Sequence, residues 1–100
     1  MPFNNVVLLA DDMGYDDVGA NNPIACTPNI DRLAGQSFQF SNFYVNAQCA
    51  PTRAAFLTGR QFFRTGVWGV HGGRDYVNPR ETLLAEVLQQ NGYTTGMMGK

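Results

Sequence analysis

Asn5-Val6-Val7-Leu8-Leu9-Ala10-Asp11-Asp12-Met13-Gly14-Tyr15 decides the fold class. The continuous apolar run from Val6 to Ala10 suits a short strand buried on both faces, as in a parallel sheet flanked by helices. Asp11-Asp12 follows directly, at the carboxyl end of that strand, where ligand sites of open α/β sheets gather. Neighbouring residues of a regular strand project to opposite faces. Both carboxylates therefore reach one cation only if the backbone turns, and Gly14 is expected to permit the turn. Paired carboxylates with further oxygen ligands suit a hard cation. Taken alone, the pair reads as a solvated turn or a helix cap rather than a metal site. Asp16 and Asp17 extend the cluster, but their spacing does not fit an EF-hand loop, and they read as solvated surface residues.

Outward from this stretch, helix and strand signals alternate. Thr27-Pro28-Asn29-Ile30-Asp31-Arg32-Leu33-Ala34-Gly35 offers an N-cap, a proline at the first helical position and a glycine stop. Ser37 to Val45 is aromatic, with alternation at Phe38, Phe40 and Tyr44, which predicts a strand. Gln61 to Arg80 carries Gly66, Gly69, Gly72, Gly73 and Pro79 and reads as an extended surface loop. Glu81 to Gln90 places Leu84, Val87 and Leu88 on one helical face, closed by Asn91-Gly92. Tyr93 to Met98 is the next expected strand. Such alternation predicts an α/β fold.

Cys49-Ala50-Pro51-Thr52-Arg53-Ala54-Ala55-Phe56-Leu57-Thr58-Gly59-Arg60 carries the chemistry. Proline suits a first helical turn, Ala54 to Leu57 are mostly good helix formers, and Gly59 fits a C-terminal stop. Cys49 is thus expected just ahead of a helix N-terminus, where the backbone dipoles favour negative charge. Arg53, one turn on, can point back toward it. The plain alternative is a buried structural cysteine before an ordinary helix.

Bulk properties exclude several function classes. One hundred residues, 44% hydrophobic and 15% charged, make about one small globular domain. A net charge of -1 gives no electrostatic case for nucleic acid or an anionic membrane. The basic residues are six arginines and Lys100, and arginine's planar fork suits oxyanion recognition. No apolar run approaches the roughly 20 residues of a membrane span. Met1-Pro2-Phe3-Asn4-Asn5 has neither a basic start nor a long apolar region, so no signal peptide is visible. The two cysteines, Cys26 and Cys49, make no disulfide framework, although a single bridge between them is conceivable. These signs favour a bacterial cytoplasm or periplasm.

The Cys49 stretch resembles the signature of the type I, formylglycine-dependent sulfatases, Cys-x-Pro-x-Arg followed by Leu-Thr-Gly-Arg. Thr52 stands where serine is more usual. Asn5 to Tyr15 resembles the family's first strand and metal pair, Thr27 to Ala34 the helix after it, and Gly92 to Lys100 the segment ending in a catalytic lysine. These segments occur in the family's order over nearly the whole chain. The resemblance implies an alkaline-phosphatase-like α/β fold with a mixed, mostly parallel sheet and flanking helices, residues 1–100 being its N-terminal part. It implies that a formylglycine-generating enzyme oxidises Cys49 and that the hydrate attacks sulfate esters. Arg53 would hold that hydrate and Lys100 would contact a sulfate oxygen. Asp11, Asp12 and the modified Cys49 would be ligands of calcium, with magnesium as the alternative. The substrate would be a sulfated small molecule or carbohydrate. The tryptophan, the histidines and the second Asp/Asn pair of the family have no counterpart here. Asp16 replaces a residue that is more often small.

Two other functions compete. One is a phosphonate or phosphate monoester hydrolase of the same superfamily. The other is a non-catalytic metal- or anion-binding remnant in which Cys49 stays a thiol. The single histidine, His71, lies in a glycine-rich loop and reads as ordinary loop polarity. A Cys49/His71 dyad has no supporting signature. Gly99-Lys100 resembles the end of a phosphate-binding loop, but its first glycine would fall at Thr94.

Overall fold

Among the described residues three α-helices form, each ending at a stop signal that the sequence carries. The computed structural model describes residues 3–100, so the reading of Met1-Pro2 as a start without a signal peptide lies outside the described residues. The chain divides into two units, Met1–Phe43 and Tyr44–Lys100.

In the first unit, α1 spans Pro28–Gly35. Thr27 precedes it, and Pro28 contributes a fixed φ where an N–H would be unpaired in any case. The Thr27 hydroxyl donates to Asp31 Oδ1 at 2.8 Å and accepts from the Gly19 N–H at 2.7 Å. Asp31 Oδ1 also accepts from the Ala20 N–H at 3.0 Å. The preceding loop is thereby fastened to the first turn of α1. Upstream, Tyr15–Asp17 forms one 3-10 turn, closed by the Gly14 N–H donating to Asp17 Oδ2 at 2.6 Å.

In the second unit, α2 spans Cys49–Thr58 and α3 spans Leu84–Gln90. Gly59, at φ 66, ends α2, and its N–H donates to Ala55 O at 2.9 Å. That left-handed conformation is one that glycine adopts without steric cost. Expected from Glu81, α3 begins three residues later. The Glu81 carboxylate is engaged instead by Arg60, whose Nη1 donates to both oxygens at 2.8 and 2.9 Å. The first turn is capped from within, because the Leu83 N–H donates to Glu86 Oε2 at 2.6 Å. Asn91-Gly92 closes α3 as predicted, with the Gly92 N–H on Gln89 O and the Tyr93 N–H on Leu88 O.

Part of Gln61–Arg80 departs from the surface loop expected of it. Phe62–Arg64 forms a 3-10 turn, and Thr65, Val67 and Gly69 are buried in alternation. Thr65 and Val67 are the most enclosed of the described residues, joined in the core by Ala54.

The expected strands have no regular secondary structure, the second being broken by a bend at Ser41-Asn42, and no strand is present among the described residues. Leu8 is 87% exposed, Phe38 fully exposed and Met98 99% exposed. A helix closes its hydrogen bonds within its own segment, whereas a strand needs a neighbour for every bond. The helical half of the expected α/β fold is present; the sheet is not confirmed.

Candidate active site

Cys49 is the first residue of α2, one position further into the helix than expected. Gln48 is the N-cap, in an extended conformation (φ -136, ψ 153). The first intrahelical bond runs from the Thr52 N–H to Gln48 O at 3.1 Å. Pro51 fits at the third position because first-turn N–H groups have no intrahelical partner. The Cys49 and Ala50 N–H groups belong to the same turn, where the dipole of a ten-residue helix is positive. Cys49 is a half-buried free thiol, and Cys26 is an exposed one.

Thr52 uses its hydroxyl to cap the entry to the helix. Oγ1 donates to Gln48 O at 2.9 Å and to Asn46 O at 3.1 Å. The contact needs only a hydroxyl on Cβ, so threonine preserves what serine offers at this position.

Arg53 lies one turn from Cys49 on the same helical face, as i and i+4 residues do. Its Nη1 donates to the backbone oxygen of Lys100 at 3.0 Å. Two of the three expected catalytic residues thus meet across 47 positions of sequence. Arg53 is half-buried and Lys100 exposed.

Asp11 and Asp12 are exposed and lie at a bend directly after the apolar run. The turn falls at Asp12 and not at Gly14. Asp12 has φ 54, the only positive value outside glycine among the described residues, while Gly14 is extended at φ -78. Aspartate is one of the few residues that tolerate this region. The bend breaks the regular alternation that would send the two carboxylates to opposite faces. Hard carboxylate donors of this kind suit calcium or magnesium as part of a ligand set. Among the described residues no group of three or more His, Cys, Asp or Glu is placed to hold a metal. Asp17 serves as a turn cap.

Sequence reading missed Gly69. A methyl built on it would lie 3.7 Å from Gln48 Oε1, 3.8 Å from Arg74 Cβ and 4.0 Å from Arg74 Cδ. The 65–78 loop therefore passes beside the residue that precedes Cys49. The available signal was the alternation of Thr65, Val67 and Gly69, which the surrounding glycines mask. His71 is exposed near the loop tip.

No helix among the described residues is long and apolar enough to cross a membrane. The sulfatase family profile matches residues 4–100. The chain is 44% identical to human arylsulfatase A over 99% of its own length and 20% of that protein's. It is 46% identical to arylsulfatase G of Canis lupus familiaris, over 97% of this chain and 19% of the relative. Mouse N-acetylgalactosamine-6-sulfatase is 41% identical over 99% and 21% of the respective chains. This chain thus spans about a fifth of the length of the curated relatives it matches. No solved structure gives a significant match. A family match over nearly every residue, with relatives 41–46% identical, decides the assignment: the chain belongs to the sulfatase family.

Proposed function

We propose that residues 1–100 supply the N-terminal part of the catalytic domain of a sulfuric ester hydrolase of arylsulfatase type. Its fold is alkaline-phosphatase-like, and the segments at Val6–Ala10 and Tyr93–Met98 enter its mostly parallel sheet. Cys49, converted to formylglycine by a formylglycine-generating enzyme, furnishes the hydrate that attacks the sulfate ester. The observation that carries this reading is the placement of Cys49 at the first position of α2, with Arg53 one turn on and held to Lys100.

Each residue has a physical task. Cys49 stands where helix dipoles favour an anionic oxygen. Arg53 holds the hydrate oxygen in its fork and keeps it partly ionised. Lys100 contacts a sulfate oxygen and offsets the charge that develops in the transition state. Asp11 and Asp12, with the modified Cys49, are the ligands this chain offers to calcium, or to magnesium. A bound cation there supplies Lewis-acid polarisation of the ester. The left-handed Asp12 supports the ligand role, since such conformations gather at functional sites.

The test uses the full-length protein coexpressed with an active formylglycine-generating enzyme. An aldehyde-reactive probe should label the wild type and not Cys49→Ala, and only the wild type should hydrolyse an aryl sulfate. An unlabelled wild type refutes the nucleophile. Paired aryl sulfate and aryl phosphate substrates separate a sulfatase from a phosphate monoester hydrolase of the same superfamily.

A further inference from the structure

Arg74 occupies a position that the sulfatase reading leaves without a task. The loop that carries it is closed at its neck, where the Trp68 and Gly69 N–H groups both donate to Arg74 O at 2.7 and 3.1 Å. Three and four positions farther out along the two arms, the Asn78 N–H donates to Thr65 O at 2.7 Å. Buried Thr65, Val67 and Gly69 anchor one arm, so Arg74 is held by a fixed frame and not by a free loop. The missing side chain of Gly69 opens a space bounded by the Arg74 stem and the Gln48 amide. Gln48 is the residue before Cys49. The stem of Arg74 therefore lies within two side chains of the nucleophile position, and the residue is exposed.

The arginines of the chain are not alike in what they hold. Arg32 bonds Asn29, Arg53 bonds Lys100, and Arg60 grips Glu81. Among the described residues the guanidinium groups of Arg64, Arg74 and Arg80 have no hydrogen bond or ion pair, and of these Arg74 is the one whose stem borders the Gly69 space that Gln48 also borders. A planar cation whose stem is held near the residue before Cys49 is suited to a carboxylate or a second sulfate, which it can grip with two parallel bonds.

We infer that Arg74 is a specificity-determining residue that recognises a second negative charge on the substrate. The preferred substrates are then sulfate esters carrying a neighbouring carboxylate or sulfate, as acidic sulfated carbohydrates do, and simple monoanionic aryl sulfates are poorer ligands. This rests on the sulfatase reading above. Cys49, Arg53 and Lys100 handle the ester that is cleaved, while Arg74 handles a charge that is not.

The experiment compares two substrates on the full-length, formylglycine-bearing protein. One is 4-nitrophenyl sulfate and the other the same ester with an added ring carboxylate. The wild type should show a lower KM for the carboxylated ester. Arg74→Ala should raise that KM about tenfold, the effect of one charge-assisted hydrogen bond. It should leave kcat unchanged, and leave 4-nitrophenyl sulfate unaffected in both constants. Arg74→Lys should restore part of the preference, and added salt should erode it. A wild type indifferent to the carboxylate, or an Arg74→Ala variant that keeps the preference or loses both substrates equally, overturns the inference while sparing the sulfatase reading. No turnover of either ester by formylglycine-bearing wild type overturns both.

Discussion

Met1–Phe43 and Tyr44–Lys100 differ in how their contacts are made and in the charge they carry. The first unit is tied by short-range bonds: Gly14 to Asp17, Asn21 and Asn22 back to Tyr15 and Asp16, Ala20 to Asp31. The second unit holds links across long stretches of sequence, Arg60 to Glu81 and Arg53 to Lys100, and it contains the buried residues Pro51, Ala54, Thr65 and Val67. Charge divides the same way. Five of the eight acidic residues (Asp11, Asp12, Asp16, Asp17, Asp31) and one basic residue, Arg32, fall in the first unit. The other six basic residues fall in the second with Asp75, Glu81 and Glu86. A net charge of -1 conceals an acidic first unit and a basic second unit. Whole-chain charge therefore says little about what each region recognises.

The sharpest way to break this comparison is at Asp12. In the full-length protein, Asp12→Asn keeps a residue that tolerates the left-handed region but removes a charged oxygen donor. Calcium affinity should fall by more than about 100-fold, beyond the loss typical of outer-shell partners. Thermal stability without calcium should hardly move. Asp12→Gly should cost the same affinity while relaxing the backbone. Unchanged calcium titrations for both variants would make the acidic half a mere turn.

Arg53→Lys probes the basic half. Lysine keeps the charge but loses the fork and the reach to Lys100 O. The expected loss in kcat is about 100-fold, comparable to removal of one transition-state donor. A variant with wild-type kcat would show that Arg53 contributes charge alone.

The same contrast explains what could be read from the sequence. Helices α1 and α2 were legible because Thr27-Pro28 and Pro51…Gly59 encode their own ends within one or two turns. The strand candidates are legible as apolar or alternating runs at Val6–Ala10, Ser37–Val45 and Tyr93–Met98. Their pairing is not, since a ladder is a property of two segments and neither states its partner. The link from Arg53 to Lys100 is likewise a tertiary fact, although the family resemblance had already named both residues. From sequence the turn is expected at Gly14 and not at Asp12, because glycine is the usual occupant of positive φ and aspartate the less common one. Gly69 was hidden because a glycine chosen for close packing looks like a glycine chosen for a turn.

A smaller effect is expected at the Arg60–Glu81 pair, which fastens the end of α2 to the segment before α3. The Glu81 side chain is only 6% exposed, against 48% for Arg60. Removing the arginine strips a largely buried carboxylate of both its bonds, and Arg60→Ala should cost about 1–3 kcal/mol in the full-length protein. Arg60→Lys should recover part of this, because one donor remains. A denaturant midpoint equal to that of the wild type would mean the pair is as dispensable as an open surface bridge.

The smallest effect is expected from Asp31 in the first unit. Its carboxylate accepts from the Thr27 hydroxyl and the Ala20 N–H, and all three groups lie within twelve positions of one another. Asp31→Ala removes both bonds, yet the exposed Ala20 N–H can turn to water, and the Thr27 hydroxyl still accepts from Gly19. The expected cost is about 1 kcal/mol, the net value of an ordinary hydrogen bond. Asp31→Asn should lose less, since an amide oxygen still accepts. The ordering carries the test: Arg60→Ala should destabilise the full-length protein more than Asp31→Ala. The reverse order would show that the short-range bonds of the acidic half bear more of the fold than the long-range ties of the basic half.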